Sequence, residues 1–310
     1  MVTTQDKLQV KIGNLELKNP VILASGTCGF GSEIKDFADT GKLGGIVTKT
    51  ITLTKREGNP PPRVFETTGG LLNSIGLDND GFKNFVFEKV SGLEKLRTTV
   101  IASIAGNTVG EFVKLVTGLS GIPVVGAIEL NLSCPNVIHK GTRFNLLSQD
   151  EKAVKKIISK LRGITQKTLI AKLSPNVTDI KKIARAAETA GIDAISLINT
   201  YPGLAADIHT MKPRLGGVTG GLSGPAIKPL ALKCVWDVYR SVGVPIIGAG
   251  GIMTWEDAVE FMICGAAVVQ VGTANFVNPK APFEITEGIK KYMKAKKIKS
   301  VKDIVGTLKA

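Results

Sequence analysis

Short apolar runs recur along the whole chain, and each is followed by a segment whose apolar residues return at helical spacing. The runs alternate little between apolar and polar positions, which is expected of parallel strands that are buried on both faces. Eight runs are predicted to be strands, at residues 21–26, 45–50, 99–106, 127–134, 168–174, 194–200, 244–251 and 266–273. Eight strand-then-helix units predict an α/β fold, a (β/α)8 TIM barrel formed as a single domain over residues 1–310.

The amphipathic segments between these runs have the beginnings and ends that are typical of helices. Residues 149–162, 178–190 and 254–264 each begin with a capping residue and an acidic side chain in the first turn. Such a beginning satisfies free backbone N–H groups and complements the helix dipole. Glycine follows each segment where the helix is expected to end, at Gly163, Gly191 and Gly265.

Three further segments do not fit the repeating pattern. The first 20 residues, with a turn at 12–15, predict a short N-terminal hairpin that covers the bottom of the barrel. Inserts lengthen the connections after strand two (51–78) and after strand six (201–224). Both inserts should emerge at the C-terminal ends of the strands, where the chemistry of such barrels lies.

Composition limits the possible partners. The formal net charge is +14, which would suit nucleic acid or an acidic protein, but only 5% of the residues are aromatic. We therefore interpret the charge as a solvated lysine-rich surface and expect no nucleic acid partner. An uncharged apolar stretch of 18 residues is absent and residues 1–11 are polar, so we expect a cytoplasmic protein without a membrane span.

The four cysteines are widely spaced, which excludes a Cys-x-x-Cys metal or iron–sulfur motif within this chain. No metal site is predicted. Cys234 and Cys264 lie in apolar helical patterns and are predicted to pack in the core, as is Cys28. Cys134 differs because it belongs to Asn-Leu-Ser-Cys-Pro-Asn (131–136), a polar sequence at the end of an apolar run. Buried polar groups need partners, so we interpret this strand end as a site with Cys134 as nucleophile or base; the alternative is a small buried cysteine.

Polar or flexible residues end every predicted strand, as a catalytic barrel requires. Lys49 and Lys172 end strands two and five, and Glu129 is the one carboxylate near a strand end, so the mouth should attract an anion. Strands seven and eight end in Gly250–Gly251 and Gly272–Thr273, where such barrels bind phosphate; a mononucleotide such as FMN would suit these loops. The sequence 248–253 lacks the last glycine of a dinucleotide fingerprint, which argues against NAD binding in the Rossmann manner.

Five motifs together resemble one known family over essentially the whole chain. They are Gly-Asn-Pro-Pro-Pro-Arg (58–63), Asn-Ser-Ile-Gly-Leu (73–77), Asn-Leu-Ser-Cys-Pro-Asn (131–136), Gly-Leu-Ser-Gly-Pro-Ala (221–226) and Gly-Thr-Ala-Asn-Phe (272–276). The chain is similar to the class 1B dihydroorotate dehydrogenases, whose FMN-containing catalytic subunit belongs to a bacterial NAD-linked enzyme of pyrimidine biosynthesis.

The resemblance implies a role for each matching residue. Cys134 would be the base that removes a proton from dihydroorotate while a hydride passes to the flavin, giving orotate. The substrate would be bound by Lys49, Asn73, Ser74, Ile75, Gly76, Leu77, Asn131, Asn199 and Thr200. FMN would be bound by Ser25, Lys49, Thr50, Ser103, Asn131, Lys172, Ile198, Gly224, Gly250, Gly251, Gly272 and Thr273. The family more often has Asn at the position of Ser103, and a serine hydroxyl can still donate and accept a hydrogen bond.

The resemblance also implies a partner, because this chain has no evident site for NAD. Electrons would leave through a subunit that carries FAD and a [2Fe–2S] cluster, with a homodimer of this chain at the core of a heterotetramer. Two alternatives remain at this point: a fumarate-linked class 1A enzyme and an FMN barrel that reduces uridine in tRNA. The second normally has an added C-terminal RNA-binding domain. A non-catalytic scaffold would have no use for Cys134 or for two strand-end lysines.

Overall fold

The structure, a computed structural model, describes residues 6–34, 37, 39–132 and 149–309. These residues contain sixteen strands. In chain order they are β1 Val10–Ile12, β2 Leu15–Leu17, β3 Val21–Leu23, β4 Gly45–Val47, β5 Val64–Thr67, β6 Gly70–Asn73, β7 Thr99–Ile104, β8 Val125–Asn131, β9 Thr168–Lys172, β10 Ala194–Leu197, β11 Tyr201–Leu204, β12 Ala206–Asp207, β13 Lys212–Pro213, β14 Thr219–Ser223, β15 Ile246–Ala249 and β16 Ala266–Val271.

Helices alternate with the strands through most of the chain. The α-helices of the described residues are α1 Gly81–Asn84, α2 Val90–Leu93, α3 Val109–Ser120, α4 Glu151–Arg162, α5 Ile180–Thr189, α6 Lys228–Tyr239, α7 Trp255–Ile263, α8 Ala274–Val277 and α9 Ala281–Ala295. A π-helical turn, Phe85–Lys89, joins α1 to α2. Short 3-10 turns lie at Asp6–Leu8, Ser32–Ile34, Thr40–Lys42, Glu94–Leu96, Pro225–Ile227 and Val301–Ile304. In this part of the chain no helix is both long enough and apolar enough to span a membrane.

Eight parallel strands close into a barrel in the order β10-β15-β16-β3-β4-β7-β8-β9. This arrangement confirms the predicted (β/α)8 fold. The strands are buried along almost their whole length, because the helices cover the outside and strand side chains, including polar ones such as Glu129 and Gln270, fill the inside. Their C-terminal ends meet at one mouth of the barrel.

The predicted helix beginnings are confirmed within two residues. Asp150, Asp179 and Thr254 each cap a helix, accepting hydrogen bonds from backbone N–H groups of the first turn. In α4 the buried residues are Val154, Ile157, Ile158 and Leu161, the spacing of a single helix face. The predicted strand ends are wrong by two or three residues: β4, for example, ends at Val47 instead of residue 50. Lys49 there donates its backbone N–H to Gly29 O and has left the ladder.

The N-terminal hairpin is confirmed. Strands β1 and β2 pair antiparallel, with Ile12 opposite Leu15. The backbone N–H of Asn14, in the turn, donates to Thr168 Oγ1 at 3.1 Å. Because Thr168 is the first residue of β9, the hairpin lies at the N-terminal end of the barrel, as predicted.

The two inserts form one structure that the sequence did not indicate. Strands β5 and β6 of the first insert join β11 and β14 of the second in a four-stranded antiparallel sheet, β11-β14-β6-β5. At the junction Asn73 pairs with Gly221 and Leu72 with Leu222. The run 70–73, predicted from sequence only to lie within an insert, is therefore a strand over the mouth of the barrel.

Candidate active site

A hydrogen-bonded group of polar side chains lies where β3, β4, β7 and β8 reach the mouth. The hydroxyl of Thr50 is its centre. It lies 3.2 Å from Ser25 Oγ and 3.0 Å from Ser103 Oγ, and it accepts from Asn131 Nδ2 at 3.3 Å. Four residues that the family resemblance assigns to the flavin site, each near the C-terminal end of a different strand, are thus brought together.

Lys172 lies beside this group. It pairs with Asn131 in the register of β8 and β9, so both side chains point into the barrel. Lys172 is only 8% exposed. Lys49 is partly buried at the end of the neighbouring segment. No described carboxylate lies within 4.0 Å of either ammonium group, so the mouth has two cations available to an anionic ligand.

The loops after β10, β15 and β16 form a glycine-lined cradle opposite this polar group. Gly224, Gly250 and Gly251 have φ of +98°, +125° and +79°, which favour glycine. A Cβ atom on Gly251 would lie 2.8 Å from Gly224 O, so the two loops touch. Apart from hydrogen bonds within the strand ladders, the described residues provide no acceptor for the backbone N–H groups of Gly224, Gly251, Gly272 and Thr273.

The same cradle is fastened to the insert sheet by side chains. Thr273 donates its hydroxyl to Ser223 Oγ at 2.9 Å, and Ser223 donates in turn to Leu71 O at 3.3 Å. Ile198 donates its backbone N–H to Ala249 O, which places it at the same strand ends. Free N–H groups, glycines and a buried lysine are the features that bind a phosphorylated ligand, so the residues present fit a mononucleotide.

Residues of the two inserts converge on Gly221. Asn73 donates its side-chain N–H to Gly221 O at 3.3 Å. On the other side, a Cβ atom on Gly221 would lie 2.0 Å from Thr200 Oγ1. Asn199 Oδ1 accepts from the backbone N–H of Thr200 at 2.8 Å. Three predicted substrate contacts, Asn73, Asn199 and Thr200, therefore lie at the border between barrel and insert sheet.

The segment after β6 is held by Asn59. Asn59 donates its side-chain N–H to Ser74 Oγ at 2.8 Å and its backbone N–H to Ile75 O at 3.1 Å. Gly76 and Leu77 follow with φ of +74° and +59°. Ser74 is fully buried, so its hydroxyl contact with Asn59 lies inside the insert.

Arg63 organises this segment, a role that the sequence did not reveal. Its guanidinium donates to Asn59 O at 2.5 Å and to Glu57 O at 2.7 Å, and it forms an ion pair with Asp78 at 2.9 Å. These contacts tie Asp78, which follows residues 73–77, to the segment that contains Glu57 and Asn59. The only signal in the sequence was the presence of Arg63 in one of the five motifs.

The cysteines divide into two groups. Cys134 lies outside the described residues, and its predicted role as base stays a prediction. Cys28 is buried, and burial raises the pKa of its thiol from 9.0 to about 12. Burial also raises the pKa of Cys234 and of Cys264, both of which pack against the core as predicted. None of these three thiols is suited to act as a base near neutral pH.

Two further buried contacts were missed in the sequence. Gln270 donates its side-chain N–H to Glu129 Oε2 at 2.8 Å, although both are fully buried in the barrel. Asn275 donates to Thr27 Oγ1 at 2.9 Å and so ties the loop after β16 to the loop after β3. Across the described ranges, no three His, Cys, Asp or Glu side chains are grouped so that they could hold a metal ion.

Comparisons with known proteins agree with this geometry. The sequence model of the family described as "Dihydroorotate dehydrogenase" matches residues 7–293. The chain is 47% identical over 301 residues to "Dihydroorotate dehydrogenase B (NAD(+)), catalytic subunit" of Bacteroides thetaiotaomicron, covering 97% of this chain and 98% of the relative. Relatives with the same name from Trichlorobacter lovleyi and Caldicellulosiruptor saccharolyticus are 49% and 50% identical, over 97% of this chain and 98% and 99% of their own lengths.

Proposed function

The chain belongs to the dihydroorotate dehydrogenase family, and from this premise we propose that it is the catalytic subunit of an NAD-linked enzyme that oxidises dihydroorotate to orotate in pyrimidine biosynthesis. The observation that carries the proposal is the convergence of Asn73, Asn131 and Thr200 with two lysines at one barrel mouth. Amide and hydroxyl groups match the polar edge of the orotate ring, and a cation matches its carboxylate.

We propose FMN as the cofactor of this site. The cradle of Gly224, Gly250, Gly251, Gly272 and Thr273 would hold the phosphate through backbone N–H groups. The hydroxyls of Ser25, Thr50 and Ser103, together with Asn131, Lys172 and Ile198, would hold the flavin ring. Support comes from the glycine-lined loops with their backbone N–H groups and from Lys172, a cation buried beside the polar group around Thr50. When bound, FMN supplies the acceptor for the hydride that leaves dihydroorotate.

The protein's own residues would bind the substrate and move one proton. Lys49 would neutralise the carboxylate, while Asn73, Asn131, Asn199 and Thr200 orient the ring; the segment Ser74, Ile75, Gly76 and Leu77 would close over it. Cys134 would take the proton from the carbon beside the ring carbonyl. The insert sheet, fixed by Arg63 and Ser223, would exclude water from the mouth.

We also propose that electrons leave this chain through a partner subunit. The relatives are named as catalytic subunits and as NAD(+)-linked, which supports a partner and favours the NAD-linked form over the fumarate-linked and tRNA-modifying alternatives. The partner would carry FAD and a [2Fe–2S] cluster, and two copies of this chain would form the core of a heterotetramer. The charge of +14 would assist docking if the partner surface is acidic.

The experiment uses the purified chain. Its visible spectrum should show bound flavin, and titration with orotate should perturb that spectrum. In turnover with dihydroorotate, an artificial acceptor should be reduced, and NAD should not be reduced until the partner subunit is added. A colourless protein that cannot take up FMN would refute the assignment as a dihydroorotate dehydrogenase. Efficient use of fumarate as the acceptor would assign the chain to the fumarate-linked class 1A.

A further inference from the structure

Two oppositely charged side chains are buried inside the barrel. Glu129 is fully buried and Lys172 is 8% exposed, and they are the only charged side chains in the buried class among the described residues. A buried charge without compensation is strongly unfavourable. Neither has an ion-pair partner within 4.0 Å in the described part of the chain.

The register places these two charges near each other. In the pairing of β8 with β9, Glu129 lies opposite Ile170, and Asn131 lies opposite Lys172. Glu129 is therefore one inward-facing layer below Lys172 on the neighbouring strand. In a low-dielectric interior, opposite charges one side-chain layer apart on neighbouring strands attract each other appreciably even without direct contact.

Gln270 holds Glu129 in this position. Strands β8 and β16 have three strands between them in either direction around the barrel, so the hydrogen bond from Gln270 to Glu129 Oε2 crosses the barrel axis. Glu129 Oε1, Gln270 Oε1 and Ser196 Oγ are buried and have no described partner. Ser196 is the register neighbour of Lys172 on β10. The Lys172 ammonium, which can donate three hydrogen bonds, therefore has acceptor atoms of Glu129 and Gln270 in the layer below it and of Ser196 on the neighbouring strand at its own register position.

We propose that Glu129 is a positioning residue whose buried carboxylate compensates the charge of Lys172 and fixes that ammonium at the barrel mouth, where it would contact FMN. The competing interpretation is that Glu129 and Gln270 form a structural contact without influence on Lys172. The two interpretations differ in what happens when the carboxylate becomes an amide, because an amide oxygen can still accept from Gln270.

The first test is a double-mutant cycle on the flavin-free protein, measured as Tm by circular dichroism. Glu129→Gln should lower Tm by roughly 5–10 °C, because it leaves Lys172 buried without compensation. Lys172→Gln should also lower Tm, since it leaves Glu129 alone. The double variant E129Q/K172Q should regain at least half of the loss, because both charges are gone. If E129Q does not fold, a folded double variant supports the proposal and an unfolded one overturns it.

The second test is the midpoint potential of bound FMN, and this arm rests on the proposed function. Removing a buried negative charge near the proposed flavin site should stabilise the electron-rich reduced flavin, so E129Q should raise the potential. Ser120→Ala, which removes a hydroxyl away from the site without a charge change, should leave the potential and the activity unchanged. A parental Tm for E129Q, additive losses in the double variant, or an unchanged potential would each overturn the proposal. Failure of the parental protein to bind FMN would instead refute the proposed function. The Tm cycle would still test the proposal, because it is measured on the flavin-free protein.

Discussion

The hydroxyl oxygens of Thr50 and Ser103 lie 3.0 Å apart at the mouth of the barrel, one in the segment after β4 and the other in β7. Ser103 is fully buried, and its backbone N–H also donates to Thr48 Oγ1 at 3.2 Å. This contact joins two neighbouring strand ends, and it places Thr50 where it also meets Ser25 and Asn131.

Ser103→Ala should weaken FMN binding because Thr50 loses one of its fixed partners. The loss of one buried hydrogen bond corresponds to about 1 kcal/mol, or a roughly fivefold higher Kd for FMN. The measurement is fluorescence titration of the flavin-free protein with FMN. Ser120→Ala is the matched control, since that hydroxyl bonds Val116 O and Thr165 away from the site. An equal change in Kd in both variants would contradict the role of Ser103.

Cys134→Ala should slow the reduction of bound flavin by dihydroorotate about 10²–10⁴-fold, the usual range for loss of a positioned base. FMN should remain bound. Cys28→Ala is the control, because that thiol is buried and hydrogen-bonded to Val47 O. Stopped-flow absorbance checks both variants, and a parental rate in Cys134→Ala would show that another group is the base.

The stability of the protein should fall at alkaline pH partly because of Cys28. Burial raises the pKa of its thiol from 9.0 to about 12, so the folded state keeps the proton after the unfolded chain has lost it. The stabilisation is therefore complete below pH 9 and is lost as the pH rises toward 12. By pH 10.5 the parental chain should lose up to about 2 kcal/mol more unfolding free energy than Cys28→Ala does. Urea unfolding at pH 8 and pH 10.5 measures this difference, and equal losses would contradict it.

Lys49→Ala should weaken orotate binding and FMN retention together, since Lys49 lies at the end of β4 where the first insert begins. We expect an increase of roughly 10-fold or more in the Kd for orotate, as for removal of a charged hydrogen bond. Lys55→Ala is the control in the same insert, because Lys55 is exposed and pairs only with Glu57 among the described residues. Unchanged orotate titrations of the flavin spectrum in Lys49→Ala would refute this role.

Local sequence patterns were sufficient to predict the barrel and the helix beginnings. Apolar runs and capping residues such as Asp150 and Thr254 act over a few positions, so they can be read directly from the sequence. The strands were predicted too long because the polar residues that follow each apolar run, such as Lys49, were counted in the strand although their backbone groups bond outside the ladder. The single domain over 1–310 stays a prediction.

Contacts between distant residues could not be predicted in the same way. Asn73 and Gly221 are 148 positions apart, and nothing local indicates that the two inserts share a sheet. The hydrogen bond between Glu129 and Gln270 likewise depends on barrel closure. The residues around Thr50 were found because each ends its own strand, whereas their mutual hydrogen bonds required the fold.

The most direct measurement is the anaerobic reaction of the purified, flavin-loaded chain with dihydroorotate. Absorbance of the bound flavin and the orotate formed should be followed together after mixing. We expect the flavin band to bleach while one orotate forms for each flavin reduced. A flavin band that persists in the presence of excess dihydroorotate, with no orotate formed, would contradict the proposal that this barrel oxidises dihydroorotate.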